Sequence, residues 1–337
     1  MADLSCAYLG LTLANPLVPS SSPLTAGVDG ARRLEDAGAA ALVMPSLFEE
    51  DILAEDARLD RFIEGQQLGH AEADSYRPLP ATYRSREETY LESLAAMKQA
   101  LAIPVIASLN GVTSGGWLEH AKALEEAGAD AIELNLYYLA ADEGDTAQAV
   151  EDRYCAVAAL LRQQVELPLA VKLGSQMTAP LHLVRRLEAA GVRGVCLFNR
   201  FYQPDIDLDT LEVVPRLELS HADEALLRIR WAAMLFGRCA CDVAVTGGFH
   251  GAAEAIKALL AGASVVHLCS ALLREGPSHI ARVLQEMSAW LEDKEYDSIE
   301  QLRGSLSLQN APEPARYGRA NYRAILDNFT PPSGVPY

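Results

Sequence analysis

The chain has no segment rich in lysine and arginine: 28 Lys and Arg stand against 46 Asp and Glu, a formal charge of −18. Nucleic acid and anionic membranes are recognised by a concentrated basic face, so neither is expected as a partner. No uninterrupted apolar run is long enough to cross a bilayer. Met1-Ala2-Asp3-Leu4-Ser5-Cys6 carries no basic n-region, and a cytoplasmic location is expected. Cysteine pairs at metal or redox spacing are missing too. Cys6, Cys155, Cys196, Cys239, Cys241 and Cys269 are scattered through apolar segments, and the Cys239-Ala240-Cys241 pair lacks the two-residue spacing. No histidine has another four residues on, so no metal site is expected and the thiols should be reduced and buried. No G-x-G-x-x-G follows the first candidate strand, where Ser20-Ser21-Ser22-Pro23 stands, which speaks against a doubly wound dinucleotide fold.

What is present is an internal echo. Asp36-Ala37-Gly38-Ala39, Glu126-Ala127-Gly128-Ala129, Ala189-Ala190-Gly191-Val192 and Leu260-Ala261-Gly262-Ala263 each end a helix-period segment with a glycine and lead into an apolar run. Between them, Ile103-Pro104-Val105 and Leu167-Pro168-Leu169 stop a helix with proline before the next strand. The joints delimit strands near Leu17–Ser21, Ala41–Pro45, Val105–Leu109, Ala131–Asn135, Leu169–Leu173, Gly194–Phe198, Asp242–Thr246 and Ser264–Leu268. Amphipathic segments such as Glu87–Leu101, Ala147–Gln164 and Ala252–Ala261 separate them. Eight near-continuous apolar strands alternating with helices predict an α/β fold, a closed (β/α)8 TIM barrel.

Residues 1–296 are expected to form this single domain, with the proline-bearing tail 297–337 packed on it or extending from it. Two connections exceed ordinary βα loops: acidic insertions at 47–86 after strand two and 200–223 after strand six. Both leave carboxyl ends of strands, so both read as lids or partner surfaces over the active face, or as solvated loops.

Val245-Thr246-Gly247-Gly248-Phe249-His250-Gly251 and the later Leu268-Cys269-Ser270-Ala271 read as two small-residue turns after the last two strands, a backbone cradle for a phosphate. Polar residues at the other strand ends face the same pocket: Ser20, Ser21, Ser46, Ser108, Asn110, Asn135, Lys172 and Asn199. Lys172 ends an otherwise apolar strand, where a lysine is costly unless paired, and points to an anionic ligand or a catalytic role. Asn135 could orient a ligand through its amide or tie down its own loop.

These residues carry a resemblance. Asn15-Pro16-Leu17-Val18-Pro19-Ser20-Ser21, Val105-Ile106-Ala107-Ser108-Leu109-Asn110-Gly111, Asp130-Ala131-Ile132-Glu133-Leu134-Asn135-Leu136, Pro168-Leu169-Ala170-Val171-Lys172-Leu173 and the stretch from Gly247-Gly248 to Ala271 resemble the dihydroorotate dehydrogenase family in order and interval. The resemblance covers Leu9 to about Leu291 and is to the soluble, class 1-like members. It implies an FMN cofactor and a place in pyrimidine metabolism. FMN contacts would come from Ser20, Ser21, Ser46, Asn110, Asn135, Lys172, Asn199, Gly247, Gly248, Cys269 and Ser270, with Gly247-Gly248 and Cys269-Ser270 at the phosphate. Lys172 would lie at the pyrimidine edge of the flavin, where its charge stabilises the anionic reduced ring.

The departures gather on the substrate side. The family's N-L-S-C-P-N loop stands as Asn135-Leu136-Tyr137-Tyr138-Leu139-Ala140, placing Tyr138 at the catalytic base. The family's T-K-S is Met44-Pro45-Ser46, and its N-S or N-T pair is Asn199-Arg200, where Arg200 is a candidate charge for an acidic substrate. Lys172, Tyr138 and Asn135 are thus the catalytic candidates of an oxidoreductase moving hydride from dihydroorotate, or a related pyrimidine-like CH–CH donor, to FMN. Two alternatives stand beside it: a flavoprotein subunit of different substrate or little activity of its own, and a flavin-free lyase or aldolase using Lys172 as a Schiff base. Expected partners are a small-molecule substrate, a second copy in a homodimer, and a redox protein.

Overall fold

The computed structural model describes residues 2–55, 84–111, 117–136, 138–328 and 330. Its centre is one sheet of eight parallel strands: β1 (Leu17–Pro19), β2 (Leu42–Phe48), β3 (Val105–Asn110), β4 (Ala131–Asn135), β5 (Leu169–Leu173), β6 (Gly194–Leu197), β7 (Asp242–Thr246) and β8 (Val265–Leu268). Their order is β1-β8-β7-β6-β5-β4-β3-β2. At the remaining seam Ala40 N–H donates to Leu17 O at 3.1 Å, bringing β1 to the start of β2. The result is the expected (β/α)8 barrel. Every residue of β3, β4, β5 and β6 is buried, which is why these strands read as unbroken apolar runs.

The glycine echo does what its composition suggests. Gly38, Gly128, Gly191 and Gly262 all take positive φ, between 90° and 120°, just beyond the ends of helices. Only one strand boundary departs by several residues. β2 continues past Pro45 to Phe48 because a register shift between Val43 and Ser46 absorbs the proline, which has no N–H for the ladder.

Alternation along the strands builds the lumen in levels. Val18, Ile106, Ala131, Ala170, Cys196, Ala244 and Val265 fill it with apolar side chains. A hairpin of Cys6–Tyr8 and Leu11–Leu13 closes the end where the strands begin, adding Tyr8, Leu9 and Leu13 to that cluster. Leu9 N–H donates to Asp242 Oδ2 at 2.8 Å and holds the plug to β7. Strands of three residues give no periodic signal, so the plug is invisible in sequence. Two residues along each strand, the inward positions become Glu133, Lys172 and His267, and two further along β4 comes Asn135 at the rim.

The connection after β6 carries a short hairpin, Asp205–Asp207 with Glu212–Val214. Of the connection after β2, residues 49–55 are helical, and 56–83 lie outside the described residues. In the tail, the N–H groups of Gly304 and Leu306 donate to Leu259 O and Leu260 O, and that of Leu308 to Ala233 O, so this part packs on the outer helices. Among the described residues no helix is long and apolar enough to cross a membrane.

Candidate active site

A cavity of about 660 Å³ opens at the carboxyl ends of the strands, within the size range of small-molecule and cofactor sites. It is lined from β1 by Ser20 and Ser21, from β2 by Ser46, from β3 by Asn110, from β4 by Asn135 and from β5 by Lys172. Asn199 follows β6, Gly247 and Gly248 follow β7, and Cys269 and Ser270 follow β8 in the same wall. All the residues expected at a cofactor therefore share one cavity. Tyr138 is not on its wall.

Lys172 is buried, and its Nζ lies 3.4 Å from Glu133 Oε1. Burial disfavours the ammonium, but the Glu133 carboxylate outweighs it and holds the lysine above its ordinary pKa. Asn135 Oδ1 accepts from Asn199 Nδ2 at 3.0 Å, which fixes both amides at one edge of the cavity. The hydroxyls of Ser46 and Ser108, on the neighbouring β2 and β3, are 2.8 Å apart. In the floor, burial depresses the His267 imidazole to about 4, against the opposing pull of Glu133, and it stays neutral at neutral pH. Burial raises the Cys269 thiol, which is therefore not a thiolate.

The turn after β7 has φ of +88° at Gly247 and +91° at Gly248, which glycine alone adopts readily. A Cβ on Gly248 would also fall 2.3 Å from Ala225 N. The Gly248 N–H donates to Ser220 Oγ at 3.2 Å, and the Ser220 N–H donates to Ser270 Oγ at 3.1 Å. Gly251 N–H, at the start of the helix Ala252–Ala261, is taken by Glu254 Oε2 at 2.9 Å. One N–H of this helix start is thus met from within, and the Gly248 N–H is the donor at the turn. Behind it, buried Arg228 donates through Nε to Thr246 O at 3.0 Å and through NH1 to Glu224 O at 2.8 Å.

Four placements differ from a simple reading of the sequence. Arg200 lines the cavity, yet its Nε donates to Glu224 Oε2 at 2.9 Å and its NH1 to Glu218 O, so its charge is already met. The Tyr138 hydroxyl donates to Asp145 Oδ2 at 2.8 Å, and the Arg153 guanidinium sits 4.2 Å over its ring. Ser220 lines the cavity and Arg228 braces the turn from behind, although neither stands at a strand end. Serine in a long loop and arginine on an outer helix give no local signal of this role.

Comparison with known proteins decides the family. The sequence model described as dihydroorotate dehydrogenase matches residues 85–291, more than half of the chain. The chain belongs to the dihydroorotate dehydrogenase family. It is 30% identical over 219 residues to an Aeropyrum pernix protein named for dihydroorotate dehydrogenase A (fumarate), covering 63% of this chain and 70% of that one. It is 23% identical over 317 residues to the catalytic subunit of dihydroorotate dehydrogenase B (NAD(+)) of Thermoplasma acidophilum, covering 90% and 99%. The corresponding subunit of Thermoplasma volcanium is 22% identical over 325 residues. These relatives support a dihydroorotate dehydrogenase-like oxidoreductase. For a member of this family, the cavity supplies a buried cation, paired amides and a turn that offers an N–H to an oxygen acceptor.

Proposed function

We propose that the chain is an FMN-dependent oxidoreductase that takes hydride from dihydroorotate or a related pyrimidine-like CH–CH donor. One observation carries the reading: a buried, protonated lysine and the glycine turn after β7 face the same cavity. A flavin phosphate needs an N–H donor where a side chain would obstruct, and Gly248 offers one that already pairs with an oxygen, that of Ser220. The flavin ring supplies two-electron hydride chemistry when bound. Lys172 would supply a positive charge to the bound flavin, and Glu133 holds that lysine as an ammonium. Asn135 and Asn199 would help hold the flavin through amides locked to each other.

The same ion pair speaks against the Schiff-base reading, since an ammonium held above its ordinary pKa is a poor nucleophile. Purification tests the proposal. The protein is expected to be yellow, to release FMN on denaturation, and to lose its flavin absorbance when mixed anaerobically with dihydroorotate. A colourless protein that takes up no FMN overturns the cofactor. A yellow protein that does not bleach leaves the cofactor standing and overturns the substrate.

A further inference from the structure

Below the cavity floor the lumen holds a cluster that the flavin reading does not use in full. Glu133 on β4, Cys196 on β6 and His267 on β8 all point inward, and one donor atom from each lies within 4.8 Å of the others. His267 Nδ1 is 3.6 Å from Cys196 Sγ and 3.7 Å from Glu133 Oε2. All three side chains are buried. Glu133 spends one oxygen, Oε1, on Lys172, while Oε2, the His267 Nε2 and the Tyr8 hydroxyl have no hydrogen-bond partner among the described residues. Each such orphan costs roughly 1–3 kcal/mol, and two of them, Glu133 Oε2 and the Tyr8 hydroxyl, call for a further polar partner.

The two spacings to His267 Nδ1 fit a cation. With metal–sulfur bonds of about 2.3 Å and metal–nitrogen or metal–oxygen bonds of about 2.0–2.2 Å, tetrahedral geometry separates S from N by about 3.6 Å and N from O by about 3.4 Å. The donor types choose among ions: thiolate, imidazole and carboxylate suit zinc, whereas magnesium and calcium favour all-oxygen shells. We propose that Glu133, Cys196 and His267 form a zinc site in the barrel lumen. The fourth position belongs to water, hydrogen-bonded by the Tyr8 hydroxyl. His267 also lines the cavity, which gives the ion its way in.

Binding replaces the Cys196 thiol proton by a sulfur–metal bond and releases that proton to solvent. The ion then ties β4, β6 and β8 together across the lumen and fixes the Glu133 carboxylate that holds Lys172. Local spacing could not show this site, because its donors come from three separate strands.

The test uses the full chain, stripped with a chelator, reloaded with Zn²⁺ or Co²⁺ and desalted. One equivalent of zinc per chain is expected to remain. The cobalt-minus-zinc difference spectrum, in which any flavin cancels, should show thiolate-to-cobalt charge transfer in the near ultraviolet. Cys196→Ala should abolish that band, and Cys196→Ala/His267→Gln should lose the bound ion, both remaining folded by circular dichroism. If the double variant does not fold, Cys196→Ser is read in its place and should lose the band. Folded wild-type protein that retains no metal overturns the site and leaves water as the partner of the orphaned atoms. A folded variant that keeps the full equivalent and the band overturns it as well.

Discussion

The hydroxyl of Ser220 accepts the Gly248 N–H at 3.2 Å, the same donor that a flavin phosphate would use. Because the Ser220 N–H also reaches Ser270 Oγ, one residue of the connection after β6 bridges the turns after β7 and β8. Ser220→Ala removes the competing oxygen and leaves the backbone link in place. FMN is expected to bind about two- to ten-fold more tightly, the range of one net hydrogen bond. Titration by flavin fluorescence quenching measures it, and weaker binding would make the hydroxyl part of the flavin's own shell.

Tyr138 is the base candidate that the sequence resemblance implies, yet its hydroxyl is donated to Asp145 and its ring is covered by Arg153. Tyr138→Phe should therefore cost about 0.5–1.5 kcal/mol of stability, one hydrogen bond, and leave the rate of flavin reduction within about two-fold. Urea denaturation and anaerobic stopped flow give the two quantities. A loss of a hundred-fold or more in rate with stability unchanged would return the phenol to the chemistry.

These two residues show what a sequence reveals of such a site and what it hides. The barrel is legible because strands buried on both faces read as apolar runs, and because the helix ends need a glycine in the left-handed region, as at Gly128. The rim is legible because alternation carries Asn110, Asn135 and Lys172 to the cavity once the strand ends are known. Sequence does not say which way a loop side chain turns, and Arg153 and Asp145 decide that for Tyr138. Nor does it show Ser220 returning to Gly248, or Glu133, Cys196 and His267 converging, since those contacts join distant strands and loops.

Arg200 and Glu224 link the start of the long connection to its end. Burial pushes the Glu224 carboxyl up, but the His221 N–H and the Arg200 guanidinium outweigh it and hold it below its ordinary value. A folded pKa below the unfolded one means that the unfolded chain binds more protons beneath about pH 4.5. This contribution is present above that pH and lost as the pH falls through the folded value. Arg200→Gln should therefore shrink the fall in urea midpoint between about pH 6 and about pH 4. An unchanged fall would show that the His221 N–H and Arg228 hold the carboxylate without Arg200.

Lys172 and Glu133 form a buried pair, so removing either charge alone confounds folding with function. Lys172→Met strands the carboxylate, and breaking a buried pair in this way costs about 3–5 kcal/mol. Lys172→Met/Glu133→Gln leaves no uncompensated charge, and its stability should return to within about 1–2 kcal/mol of the parent. Compared in chelator-treated protein, so that a lumen ion is not a variable, the double variant is expected to fold and bind FMN. Its flavin should be reduced by substrate at least about a hundred-fold more slowly, the usual loss when one preorganised charge-stabilising group is removed. A double variant that recovers both stability and reduction rate would show that Lys172 serves the barrel and not the chemistry. Recovery of stability alone, with the rate still low, separates the two roles, because Glu133→Gln repairs only the packing of charge and cannot restore the cation on the cavity wall.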